Sequence, residues 1–206
     1  MYIIALFPSR QYSIDDYPSV RDYLLSAEWN NEIPDGFGKL KLDQTGRKHT
    51  INGVTFTARK KTSNKWFETQ DQIGYWDDFS KQKIIFQEIV QEPSFMLDSE
   101  GRFFCLDTGR IITGNNLFYL LPVLNSKLFF YAVKQFYGGG GLGDTGVRMK
   151  HTFFGKFPCV ELSHIVKQRA YALIKLGNSL EIDMLIYEQY DLTKEEVLFI
   201  ESQQTQ

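Results

Sequence analysis

Residues 111–128 read IITGNNLFYLLPVLNSKL, and this stretch decides the fold class. Its beginning, Arg110–Thr113, has the composition of a short strand. From Leu117 onward the apolar residues recur at i, i+3, i+4 and i+7, the spacing of an amphipathic helix that Asn115 or Asn116 can cap. Asn125-Ser126 then interrupts this helix and caps a second one. A strand followed directly by two helices predicts a mixed α+β chain.

The sequence on either side extends this pattern. Upstream, residues 83–90 predict a strand, and residues 94–98 and 102–106 predict two more around a Ser99-Glu100-Gly101 turn. Downstream, two closing helices are expected at about 162–176 and 180–190. Thr193-Lys194-Glu195-Glu196 has the sequence of a capping box, which predicts one more helical turn. The predicted fold is α+β, with a mixed sheet and hairpins packed against helices.

The first third of the chain carries its own signals. Residues 3–7 predict a buried strand or an extended entry segment, and a helix is expected from about Pro18 to Trp29. Residues 33–48 contain proline and three glycines and predict a loop or a mobile arm. Residues 50–58 alternate around Asn52-Gly53 and predict a hairpin. Residues 147–160 predict a basic and aromatic strand or turn.

Shifts in composition divide the chain into three predicted segments. Residues 1–58 hold the first helix, the arm and the hairpin. Residues 59–161 form a central core, and residues 162–206 hold the closing helices with an acidic tail. No clean linker interrupts the sequence, so these borders are predicted from composition alone.

Length and composition exclude several classes of protein. The chain has 206 residues, 43% of them hydrophobic and 23% charged, which is typical of a globular protein. Cys105 and Cys159 lie far apart and outside any C-x-x-C, so neither a disulfide framework nor a structural zinc site is expected. No apolar run reaches the roughly 18 residues of a membrane helix. The expected location is the cytoplasm, with no membrane partner.

The near-neutral net charge of −2 hides an uneven distribution. Residues 39–65 carry eight lysines and arginines and only one acid, Asp43, whereas residues 177–206 are acidic. A cluster of bases in a nearly neutral chain is typical of a polyanion-binding site, although a solvated loop has the same composition.

No motif predicts catalysis, a cofactor or a metal in this chain. The three histidines are scattered, and no nucleophile elbow is present. Gly138, Gly140 and Gly143 satisfy G-x-G-x-x-G, but the run follows a predicted helix where a dinucleotide loop would follow a strand. Asp98 and Glu100, with Arg102 nearby, leave open a small metal-dependent nuclease as an alternative.

Two stretches are the candidate binding surface. Both combine cations for phosphates with groups that can contact bases or let the backbone approach a ligand. The first consists of Lys60, Lys61, Asn64, Lys65, Trp66 and Gln70, and the second of Gly139, Gly140, Gly141, Arg148, Lys150 and His151. Core packing is the alternative explanation for Trp66.

Several short blocks follow one another in a fixed order: KWFE (65–68), KIIF (83–86), GRFF (101–104), IITGNNL (111–117) and LNSKL (124–128). The glycine run and residues 147–158 continue this order, and residues 182–196 close it. Together these blocks resemble the TaqI-like C-terminal specificity domain over about residues 2–201.

This resemblance implies a target-recognition domain of a bacterial adenine-N6 DNA methyltransferase, of type II or type IIG with a fused nuclease. Such enzymes hold S-adenosylmethionine in a separate catalytic domain, whose N-P-P-Y-type loop receives the flipped adenine. The six prolines of this chain are never adjacent, so it contains no N-P-P-Y. Met1 is therefore expected to begin a fragment or a separate specificity polypeptide that is not itself an enzyme. Its expected partners are double-stranded DNA and a catalytic domain, in cis or as a subunit.

Two other functions stay open from the sequence. One is the small nuclease, and the other is a protein-interaction module whose aromatic residues contact a partner subunit. Magnesium-dependent plasmid cleavage would favour the first of these.

Overall fold

The structure is a computed structural model that describes residues 3–106, 108–137, 146–149 and 151–203, with the backbone alone at 137, 153 and 154. The chain forms two compact units, Met1–Gly74 (unit 1) and Tyr75–Gln206 (unit 2). Both contain helices and small antiparallel sheets, so the mixed α+β class is confirmed. The predicted segment borders near residues 59 and 162 stay predictions. Within the described ranges, no helix combines the length and apolar character of a membrane span.

The described part of unit 1 contains two α-helices, two short 3-10 helices (Pro8–Arg10 and Ile14–Asp16) and one hairpin. Helix α1 spans Pro18–Ser26, helix α2 spans Gly38–Leu42, strand β1 spans Lys48–Ile51 and strand β2 spans Val54–Thr57. Residues 3–7 form no strand, and the extended entry segment stays a prediction, with Phe7 in an extended conformation.

The predicted hairpin is confirmed. Lys48 pairs with Thr57 and Ile51 with Val54 in an antiparallel register. Asn52 and Gly53 both have positive φ, 51° and 81°, as a two-residue hairpin turn requires. Phe56 and Ala58 are buried on one side of this hairpin.

Helix α1 is confirmed, but it ends three residues before the predicted position. Ala27 adopts a left-handed conformation with φ 68°, and this stops the helix. The prediction that residues 33–48 form only a loop or arm is wrong, because helix α2 lies within these residues. A Cβ at Gly38 would lie 2.0 Å from the Leu24 carbonyl oxygen, so glycine permits the close approach of α2 to α1.

The described residues of unit 2 contain five strands. Strand β3 spans Lys83–Gln87, β4 Ile89–Val90, β5 Met96–Asp98, β6 Gly109–Thr113 and β7 Val147–Arg148. Strands β5, β3 and β6 form an antiparallel sheet in that order, and β4 pairs separately with β7. The single strand predicted over 83–90 is therefore two strands, separated at Glu88.

The strand predicted at residues 102–106 is absent. The Asp98 carboxylate accepts hydrogen bonds from the backbone N–H groups of Arg102 (3.1 Å) and Phe103 (2.9 Å), so these donors are not available to a sheet. The Phe104 ring packs 5.0 Å from the rings of Trp76 and Phe79. Strand β6 occupies the second edge of β3.

Six α-helices lie among the described residues of unit 2, together with a 3-10 helix at Trp76–Ser80. They are α3 (Leu117–Leu124), α4 (Lys127–Ala132, continued as a π turn through Tyr137), α5 (His151–Phe154), α6 (His164–Leu176), α7 (Ser179–Gln189) and α8 (Lys194–Ser202). The Ser126 cap of α4 and the Thr193–Glu196 capping box of α8 are confirmed. Asn116 precedes α3 in a left-handed conformation and makes no side-chain cap, which corrects that prediction.

Two connected apolar clusters form the core of unit 2. The first packs the central sheet against α3 and α4, with Ile84, Leu117 and Phe129 almost fully buried. The second packs α3 against α6 and α7 around Leu162 and Ile186. This packing fixes β4, β7 and the helices that carry the surface groups described below.

Candidate nucleic-acid interface

Four exposed cations gather at the open end of the β1–β2 hairpin. We call Arg47, Lys48, Lys60 and Lys61 the hairpin patch. The segments that precede β1 and follow β2 are also hydrogen-bonded to each other. The Ala58 N–H donates to the Arg47 carbonyl and the Gly46 N–H to the Arg59 carbonyl, each at 2.8 Å. Residues 47–48 and 60–61 therefore lie on neighbouring segments although they are about a dozen positions apart.

The hairpin patch carries uncompensated charge. Among the described residues, none of its four side chains forms an ion pair, whereas other surface cations of the chain do. The one acid in residues 39–65, Asp43, is close enough to Arg59 to influence its pKa. A positive surface without counter-charges attracts a polyanion from a distance.

Arg59 holds this part of unit 1 together. Its guanidinium donates to the carbonyl oxygens of Leu42 (2.7 Å) and Trp66 (2.5 Å), and its own N–H donates to the Lys41 carbonyl (3.1 Å). Burial lowers the pKa of Arg59 and Asp43 partly opposes this effect. Arg59 is a structural cation and does not add to the patch.

Gln44 fixes the segment that follows the patch. This buried amide donates to the carbonyls of Lys65 (3.0 Å) and Glu68 (2.8 Å) and accepts from the Thr62 hydroxyl (2.5 Å). Because all three contacts converge on one side chain, residues 62–68 have a fixed path next to the patch.

Three of the predicted site residues make contacts within unit 1. The Asn64 amide donates to the carbonyls of Thr69 (3.0 Å) and Gln70 (3.1 Å), so both of its N–H groups are engaged. The Lys65 ammonium donates to the Tyr12 carbonyl at 3.1 Å and lies 3.7 Å from the buried Glu68 carboxylate. The Gln70 amide donates to the Lys60 carbonyl at 3.4 Å. Lys60 and Lys61 are thus the members of the first predicted stretch whose charge is fully available.

Trp66 is half-buried and contacts its neighbours in unit 1. Its ring meets Phe67 edge-on at 5.7 Å, and the Lys39 ammonium lies 5.8 Å from the ring centre. This agrees with the packing explanation for Trp66, although the exposed part of the ring is still accessible to a ligand.

In unit 2, two arginines share one carboxylate. Glu88, at the break between β3 and β4, is 12% exposed in its side chain and forms an ion pair with Arg110 through one oxygen. Its other oxygen lies 3.4 Å from Nε of Arg148 on β7, which pairs with β4. Arg110 and Arg148, the arginine pair, are 43% and 40% exposed. Glu88 is therefore a counter-charge that the two arginines share.

The other residues of the second predicted stretch are less informative. His151 is exposed at the start of α5. Gly139, Gly140, Gly141 and Lys150 lie outside the described residues.

Sequence reasoning omitted four residues from the candidate site: Arg47, Lys48, Glu88 and Arg110. Arg47 and Lys48 could have been included, since the Asn52-Gly53 turn predicts that the chain returns beside them. The Glu88 contacts join residues 22 and 60 positions apart, and no local pattern signals them.

The carboxylates of the nuclease alternative do not converge. Asp98 is buried against Lys83 and accepts two backbone N–H groups, and Glu100 forms an exposed ion pair with Arg102 at 3.1 Å. No cluster of three or more metal-ligating side chains is found in the part of the chain that the structure describes. Burial raises the pKa of both cysteine thiols, which opposes a reactive thiolate at either position.

Comparison of the chain with protein-family models and with curated proteins finds no match. The TaqI-like relationship is therefore a prediction from the ordered blocks of sequence, and the functional argument depends on the surfaces described above.

Proposed function

We propose that this chain recognises double-stranded DNA as the target-recognition domain of a type II or type IIG adenine-N6 DNA methyltransferase. The observation that carries the DNA-binding part is the hairpin patch, with four exposed cations on two adjoining segments and no ion pair among the described residues. The methyltransferase part rests on the order of the sequence blocks.

In this proposal the hairpin patch binds the DNA backbone. Arg47, Lys48, Lys60 and Lys61 contact phosphates and displace condensed counterions, which provides affinity without sequence preference. The contacts of Gln44 and Arg59 fix the backbone next to these cations, which limits the backbone entropy that is lost on binding.

The arginine pair recognises specific bases of the DNA. A guanidinium fork matches the O6 and N7 acceptors of guanine in the major groove. Arg148 is suited to this task because its Nε lies 3.4 Å from the Glu88 carboxylate, an ion pair that favours one orientation, while its side chain stays 40% exposed. Arg110 contacts the second oxygen of the same carboxylate and so helps to hold Glu88 beside Arg148.

The chemical step belongs to a separate catalytic domain, which acts in cis or as a subunit. That domain supplies S-adenosylmethionine and accepts the adenine after it has left the base stack. The residues of this chain choose the site and hold the duplex in register.

Salt-dependent DNA binding tests the DNA-binding proposal. We expect the Lys60→Ala/Lys61→Ala variant to bind all duplexes more weakly, and the slope of log K against log salt to fall by about 0.9 for each phosphate that the variant no longer neutralises. Fluorescence anisotropy with a labelled duplex measures both quantities. The matched control is Lys194→Ala, which removes an exposed lysine from the acidic end of the chain.

An unchanged slope in the double variant, with wild-type melting temperature, would show that the patch is only solvated. A slope reduced equally in Lys194→Ala would show a general charge effect. Either result would contradict a role for the hairpin patch.

A further inference from the structure

The last two helices of unit 2 leave apolar side chains uncovered. Leu198 is 70% exposed, and Met184 and Phe199 are each 53% exposed. Helix α8 separates two grooves of about 340 Å³ and 460 Å³, and Leu192 lines both of them. Scattered exposed apolar residues are ordinary on protein surfaces, whereas apolar side chains grouped around two grooves are typical of an interaction site.

Acidic side chains surround these grooves. Residues 177–203 hold five exposed acids against one exposed lysine, Lys194; the acids are Glu181, Glu188, Asp191, Glu195 and Glu196. Glu188 and Lys194 line the first groove, and Glu195 and Glu196 line the second, so the two grooves together carry three acids and one lysine. The remaining acids of this segment, Asp183 and Glu201, both lie against Lys127.

We infer that the two grooves beside α8 bind a basic amphipathic helix of a partner protein. Apolar side chains spaced at i, i+3, i+4 and i+7 on such a helix can contact Met184, Leu198 and Phe199 together. Lysines and arginines beside that apolar stripe would meet Glu188 and Glu195. The same acids repel DNA and anionic membranes, so the charge of the rim selects a cationic partner.

This site is independent of the proposed DNA recognition. It uses apolar contact with an acidic rim on α7 and α8, whereas the proposed DNA recognition uses the cationic hairpin patch of unit 1 and the arginine pair on β6 and β7. If the chain does not bind DNA, the inference about the two grooves is unaffected. If the grooves bind no helix, the proposed DNA recognition is unaffected.

A second copy of the chain is the competing occupant. Helix α6 contains Lys167, Arg169 and Lys175 with no acid, and it leaves Ile165 and Leu176 each 77% exposed. The experiment must therefore separate a partner helix from self-association through α6.

The test uses the full chain and two synthetic helices of about five turns with the same leucine stripe. One helix carries lysines on its polar face and the other carries glutamates. Isothermal titration measures the affinity of each for wild type, for Leu198→Ser/Phe199→Ser and for Glu188→Lys/Glu195→Lys. Ile165→Ser is the matched control, because it removes an equally exposed apolar side chain from another helix. Sedimentation of the free chain measures self-association.

We expect the leucine–lysine helix to bind wild type and Ile165→Ser alike, and to lose about tenfold or more in affinity with each double variant. The leucine–glutamate helix should bind wild type at least about tenfold more weakly. The inference is overturned if the two helices bind equally, if the leucine–lysine helix shows no saturable binding, or if the double variants bind like wild type. A concentration-dependent dimer that Leu198→Ser/Phe199→Ser abolishes would also overturn it, in favour of a second copy.

Discussion

The Lys83 ammonium group forms an ion pair with the Asp98 carboxylate inside unit 2, and both side chains are almost completely buried. Lys83 lies on β3 and Asp98 ends the neighbouring strand β5, where the two residues are register partners. The ammonium also donates to the Phe79 carbonyl at 2.6 Å. Each charge therefore has a fixed partner, which a buried charge requires.

This pair predicts an acid-sensitive contribution to stability. Burial alone raises the pKa of Asp98, but the hydrogen bonds from Lys83, Phe103 and Arg102 outweigh that effect and lower it to about 2. Because the pKa is lower in the folded state, the contribution is present above the unfolded pKa of about 4 and is lost as pH falls through 2. Its full size is about 2 kcal/mol.

Urea unfolding measured between pH 6 and pH 2 checks this prediction. Asp98→Asn should lose part of the acid dependence and be less stable at pH 6 by about 3 kcal/mol, because Lys83 is left without its counter-charge. Glu100→Gln removes a neighbouring carboxylate that is 64% exposed, and it should behave like wild type. Equal acid dependence in wild type and Asp98→Asn would contradict the assignment.

A second prediction concerns Gln44, whose amide supports residues 62–68. Gln44→Leu leaves the carbonyls of Lys65 and Glu68 without their donor, so unit 1 should lose about 2–4 kcal/mol of unfolding free energy. Tryptophan fluorescence in a Trp76→Phe background reports on unit 1 through Trp29 and Trp66. Gln70→Leu, which removes only one hydrogen bond of 3.4 Å, is the control and should cost about 0.5 kcal/mol or less. Equal destabilisation in the two variants would show that Gln44 has no special role.

The sequence predicts those elements whose signals are local. The Asn52-Gly53 turn, the Ser126 cap and the Thr193–Glu196 capping box all depend on residues a few positions apart, and each is confirmed. Local signals of this kind determine backbone conformation directly. The closing helices are predicted equally well, since Ser163 and Gly177 cap α6 within about two residues of its predicted ends.

The errors arise where a distant side chain decides the outcome. The segment after Asp98 looks like a strand, but the carboxylate binds its N–H groups. Lys65 looks like a free cation, but the Tyr12 carbonyl, more than fifty positions away, accepts from it. Charge in a sequence therefore predicts that a basic surface exists, whereas only the fold shows which cations remain available to a ligand.

A third prediction follows from the cofactor motifs that the sequence lacks. The chain alone should bind S-adenosylmethionine no more tightly than weak nonspecific binding, because its sequence contains no N-P-P-Y and its one G-x-G-x-x-G follows a predicted helix, not a strand. Isothermal titration with the cofactor is the measurement, and duplex binding by the same preparation confirms that the protein is active. One saturable site of micromolar affinity would contradict the assignment of this chain as a recognition domain alone.

The last prediction concerns Glu88 and the arginine pair. Arg148→Ala should relax the preference for one base pair by about 1–3 kcal/mol, whereas removal of a phosphate-binding side chain would weaken all sequences alike. Glu88→Gln should change two quantities in opposite directions. Affinity for random duplex should rise because one negative charge is removed, and the base preference should fall because Arg148 loses its restraint. Competition binding against a library of duplexes measures both. Glu100→Gln, which removes an equal charge beside the exposed Arg102, should leave the preference unchanged. If Glu88→Gln raises affinity and keeps the full preference, the carboxylate does not position Arg148 for base recognition.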